Sequence, residues 1–136
     1  MSKSNTTEND LMEYIFKGTA ISWNGNTDLF VALHTADPGE AGTQTTSEAT
    51  YGGYARVTVA RSGSGWTVTG NQASNAGLVQ FPQCTSGTNT ITHVSVGTAS
   101  SGAGQILYKG ALSAALAVSS GIQPQFSAGQ LVVTED

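Results

Sequence analysis

Short apolar runs with strand periodicity, each cut off by a cluster of turn residues, recur from residue 29 to the end of the chain, and this punctuation leaves little room for anything but short strands. Leu29-Phe-Val-Ala-Leu-His34-Thr35 stops at Asp37-Pro38-Gly39, where proline presets φ and glycine accepts a positive φ. A polar loop follows to Thr50. Tyr54–Ala60 alternates, with Ala55, Val57 and Val59 on one side and Tyr54, Arg56 and Thr58 on the other. Ser62-Gly63-Ser64-Gly65 then leads into Trp66-Thr67-Val68-Thr69, and the two runs together predict a hairpin. Further strands are expected at 76–81, stopped by Pro82, and at 90–97, 105–110 and 130–134, with shorter ones at 111–118 and 123–126. The Ala-Leu-rich run 111–118 has helical propensity, but neighbours decide such short apolar runs. About eight short strands at these spacings predict an all-β fold, an antiparallel β-sandwich.

The N-terminus has a different character. Residues 1–9 are polar and read as a flexible arm, followed by one domain over 10–136. The spacing predicts a short helix over 10–18: Asp10 can cap it, Glu13 sits where a capping-box acid belongs, and Gly18 can close it. Leu11, Tyr14, Ile15 and Phe16 make this helix the candidate partner-contacting element.

Length and charge narrow the function. The 136 residues suit one domain, and only 10% of them are charged, well below the usual share of about a quarter. So sparse a charge supply fits a protein packed against partners. Net charge is −4, and the five cations (Lys3, Lys17, Arg56, Arg61, Lys109) are scattered, so nucleic acid is not an expected partner. No apolar run approaches the roughly 20 residues of a bilayer span, and no signal peptide is evident, so membrane partners are not expected either and synthesis is expected in the cytoplasm of whatever cell makes the protein.

Catalytic patterns are not found. His34 and His93 lack any zinc-ligand spacing, and no nucleophile elbow or phosphate-cradling loop occurs; Ser62–Gly65 is explained by a turn, as is Gly102-Ala103-Gly104. The carboxylates lie at presumed loops and termini, and the loop after Asp37 lacks the EF-hand calcium pattern. Cys84 reads as a reduced, structural thiol. No cofactor, no metal and no enzyme activity are expected. Trp66, Phe30 and Phe81 are expected in the core, whereas Trp23, Tyr51 and Tyr54 could serve either as core or as a glycan-stacking platform.

The stretch from Leu29 through Ala32-Leu33-His34-Thr35-Ala36-Asp37-Pro38-Gly39 to Gly42, with Tyr51-Gly-Gly-Tyr54-Ala55-Arg56-Val57, resembles small structural proteins of tailed bacteriophages. Trp66-Thr67-Val68, Asn75-Ala76, Phe81-Pro82, Val96-Gly97-Thr98 and Leu107-Tyr108 extend the resemblance over residues 10–136. It implies a non-catalytic virion protein. Within the particle it implies a head decoration or cement protein on the capsid exterior, bound to the major capsid protein as a homodimer or homotrimer. A tail-associated structural or glycan-binding adhesion module is the alternative.

Overall fold

A computed structural model describes residues 1–135. Ten strands and one helix occur among these residues, and every strand pairing is antiparallel. In chain order they are β1 (Ser2–Lys3), α1 (Asn5–Lys17), β2 (Asp28–His34), β3 (Val57–Ala60), β4 (Trp66–Thr69), β5 (Gln72–Asn75), β6 (Val79–Gln80), β7 (Asn89–Gly97), β8 (Ile106–Val118), β9 (Gln125–Phe126) and β10 (Val132–Thr134). One layer is a five-stranded sheet in the order β1-β8-β7-β2-β3. The other combines a three-stranded sheet, β10-β5-β4, with the two-stranded β6-β9. The chain is thus the all-β sandwich with an N-terminal helix that its periodicity predicts.

Alternation decides which face of the five-stranded sheet is apolar. Leu29, Val31 and Leu33 of β2 lie across from Val59 and Val57 of β3 and from Val96 and Val94 of β7. With Ile91, Tyr51, Val79, Phe81, Val118 and Leu131 they form the core between the layers. Phe81 is fully buried, with Tyr54 stacked at 6.3 Å and Phe126 edge-on at 6.4 Å.

One expectation about connectivity is corrected. The hairpin across Ser62–Gly65 does not form: β3 pairs with β2, β4 pairs with β5, and the turn carries the chain from one layer to the other. Gly65 N–H and Trp66 N–H both donate to the Ser62 carbonyl, which coils the turn tightly and redirects the chain. The partner of β4 is β5, whose sequence Gln-Ala-Ser-Asn carries no strand propensity. It is held between β4 and β10, and the two-residue loop Gly70-Asn71, with Gly70 at φ 61°, joins Thr69 to Gln72.

The arm expected over residues 1–9 is also corrected. Ser2 and Lys3 pair with Lys109 and Tyr108 as the outer strand of the large sheet, and Lys3 is ion-paired with Glu135. The helix starts at Asn5, five residues before the expected Asp10, because Ser4 is the cap: its Oγ accepts from Thr7 N–H at 3.3 Å. Gly18 closes it as expected, at φ 67°. Asp10 instead serves tertiary contacts, accepting from Gln105 Nε2 at 2.8 Å and from the Trp23 indole at 3.2 Å.

Candidate functional site

Polar residues hold α1 to the body. Ser4 and Thr7 both donate to the Ile106 carbonyl on β8, at 2.5 and 2.9 Å, and Gln105 Nε2 donates to Thr7 and Asp10. Thr7 is the one buried residue of the helix. At 100° per residue, Met12 and Phe16 fall on the side away from Thr7 and Asp10 with Ile15 flanking them, whereas Leu11, one turn on from Thr7, lies nearer the Thr7 side. Met12 is 57% exposed, Ile15 65% and Phe16 74%, with Leu11 half-buried and Tyr14, at the helix end, 56% exposed. An ordinary amphipathic helix turns such residues inward; this one presents them to solvent. Of the contact residues expected from sequence, Tyr14, Ile15 and Phe16 are exposed, Leu11 lies at their margin, and Met12 joins them. The apolar count over 11–16 was visible in the sequence, but which side faces out was not.

On the second face of the large sheet the loop of residues 35–50 covers a buried polar row. Ala32, Ser95 and Lys109 are register neighbours there, as are His34 and His93. The buried Lys109 ammonium reaches Asp37 at 3.0 Å and Glu40 at 3.2 Å, anchoring the loop. Burial works against its charge, but these carboxylates outweigh that and hold its pKa above the ordinary lysine value. The Asp37 carboxyl is held low, first by the Gly39 N–H it accepts and then by Lys109. Gln44 lies flat on Gly97 and Gly104, where any β-carbon would overlap its amide.

The far end of the loop is tied by a second ion pair. Arg56 Nε and Nη2 donate to the two Glu48 oxygens at 2.7 and 2.9 Å, and its remaining N–H groups reach the carbonyls of Ala99 and Gly102. Tyr54 donates to Glu48 at 2.8 Å and accepts from Leu33 N–H. The loop carboxylates Asp37, Glu40 and Glu48 are therefore each paired with a lysine or arginine, an arrangement unlike an open calcium loop. No group of three or more His, Cys, Asp and Glu side chains comes together among the described residues.

His34 is fully buried. Its Nδ1–H donates to the Thr46 carbonyl at 2.8 Å, and Nε2 accepts from Ser95 Oγ at 2.7 Å. Burial keeps its pKa below the ordinary 6.5, against the opposing pull of the Thr46 carbonyl. A histidine held neutral while the unfolded chain takes up a proton contributes stability above pH 6.5, and that contribution is lost as pH falls from 6.5 toward the lower folded value. The thermal midpoint should therefore drop between pH 7 and pH 5.5, before ordinary carboxylates titrate, and His34→Gln should flatten the slope in that window. An unchanged slope in the variant would assign the effect elsewhere.

Two of the three aromatics that could have formed a glycan platform pack inward: Tyr51 is buried with its hydroxyl donating to the Pro82 carbonyl, and Tyr54 is half-buried against Phe81. Burial drives the Tyr51 hydroxyl up to about 12 and Tyr54 higher still. Trp23 lies under the Arg61 guanidinium at 5.5 Å. Cys84 is a buried free thiol whose S–H donates to the Ser86 carbonyl. Among the described residues, no helix is long and apolar enough to cross a membrane.

No curated protein matches this chain. Residues 2–134, which include α1 and all ten strands, match the model of the family described as podophage GP4 fiber I protein gp80, and the chain belongs to that family, a structural protein of the phage particle.

Proposed function

We propose that this protein is a non-catalytic component of the fibre apparatus of a podophage and docks on its neighbour there through the outer face of α1. The observation that carries the reading is the apolar strip of Met12, Ile15 and Phe16 on a helix held to its own body by polar bonds. A strip of this kind, on a chain with few charges, is what a surface covered during assembly looks like. The fibre description of the family favours this position over the capsid exterior. The head-decoration role, with the major capsid protein as partner, would use the same face. Self-association as a homodimer or homotrimer is compatible with either and would multiply weak contacts.

Cosedimentation of the purified protein with separated tails and with empty heads from particles lacking it tests the proposal. Saturable binding to tails is expected. Binding to heads alone would move the protein to the capsid surface, and binding to neither would sink the docking role.

A further inference from the structure

Between the two layers a cleft of about 460 Å³, with no α1 residue in its lining, opens to solvent. Leu29 and Val96 of the large sheet form one wall, and Trp66, Val68, Ala73 and Val133 of the three-stranded sheet form the other. The volume lies within the range of small-molecule sites. Val68, at 71% exposure, marks the mouth.

The polar side chains at the cleft are Arg61, Ser62, Trp66 and Tyr108, and the Ser62 hydroxyl is engaged with Ser64 in its own turn. Tyr108 lines it, but its hydroxyl is committed to Glu135, whose carboxylate also pairs with Lys3. No carboxylate lines the cleft. Arg61 stands at one side with only Nη1 engaged, donating to the carbonyls of Asn24 and Asn26 at 2.8 and 3.1 Å. Arg61 is exposed, and among the described residues its Nε and Nη2 make no hydrogen bond, which leaves them open to a ligand. Trp66 adds an indole N–H that is buried without a partner, a kind of donor that a bound acceptor relieves.

We propose that this cleft binds a small apolar anion, an aromatic or short-acyl carboxylate, with its hydrocarbon part between the sheets and its charge at Arg61. A sugar does not suit the site, because its hydroxyls would meet Leu, Val and Ala rather than the several polar partners they need. A neutral apolar molecule would fill the walls but form no ion pair with the guanidinium, whose only protein acceptors among the described residues are the carbonyls of Asn24 and Asn26. The inference is independent of where in the particle the protein sits.

Calorimetric titration of the full chain with 2-naphthoate, octanoate and the uncharged 2-naphthylmethanol tests it. Saturable one-to-one binding of at least one acid is expected, and which acid binds separates an aromatic from an acyl ligand. The alcohol should bind about tenfold more weakly than 2-naphthoate if the aromatic acid is the ligand, and Arg61→Gln should weaken the bound acid by a similar factor. Val68→Glu, at the exposed mouth, should weaken it by repulsion while leaving the unfolding transition cooperative. Absence of saturable binding by both acids, or undiminished binding by both variants, overturns the proposal.

Discussion

Arg56→Met is expected to destabilise the fold by about 3 kcal/mol, lowering the thermal midpoint by roughly 10 °C. The arginine is 3% exposed and its partner Glu48 17%, so the pair is not a surface bridge screened by solvent. Removing the guanidinium strands a carboxylate beside the core, and it also strips donors from the carbonyls of Ala99 and Gly102. Three segments then lose their common tie: the loop ending at Glu48, the approach to β3, and the turn between β7 and β8. Glu48→Gln should cost less, because a glutamine keeps one acceptor for Tyr54 and Arg56. The double variant Glu48→Leu with Arg56→Met should recover part of the loss, since no charge remains buried. Chemical denaturation of the set, with equal m-values, checks this; a loss under 1 kcal/mol for Arg56→Met would show that water repays the pair.

The second large effect concerns assembly rather than stability. Replacing Met12, Ile15 and Phe16 together by serine should lower binding to phage tails by about a hundredfold or more, since buried apolar anchors dominate interface energies. The isolated protein should stay within about 0.5 kcal/mol of wild type, because the three side chains are already in solvent and the helix is fastened through Ser4, Thr7 and Asp10. Competitive cosedimentation against wild-type protein, paired with thermal melts, separates the two readouts. Normal binding by a normally folded triple variant would remove α1 from the interface. A collapse in stability would instead show that the strip packs on its own body.

Both predictions depend on features that differ in how openly the sequence displays them. The strands β2, β4 and β7 follow directly from alternation and turn residues, because a period of two needs only local chemistry to be recognised. Strand β5 is not marked by its own residues, since Gln72-Ala-Ser-Asn75 has no apolar alternation, although Gly70-Asn71 is a recognisable hairpin loop placed to signal it. The expected breaks between 105–110 and 111–118 are also absent: β8 is continuous, with a register shift opposite Ile91 and His93. The helix was legible at its C-cap, where Gly18 is a local signal, and misplaced at its start. Asp10 and Glu13 make a better local cap than Ser4, and only the hydrogen bonds from Ser4 and Thr7 to Ile106, about a hundred residues away, reverse that preference.

What the sequence determined by itself was the class of the molecule: an antiparallel sandwich with a short N-terminal helix carrying Leu11, Tyr14, Ile15 and Phe16. These follow from periodicity, turn chemistry and composition, all local properties. Tertiary structure alone decided that β3 and β4 belong to different layers, that Tyr51 and Tyr54 are core rather than platform, and that Glu48 meets Arg56. It also decided that Met12, Ile15 and Phe16 face outward. Each of these rests on contacts between residues distant in the chain or on the orientation of a helix about its axis, and no local pattern encodes which of two faces a helix will bury when polar bonds at its first turn choose for it.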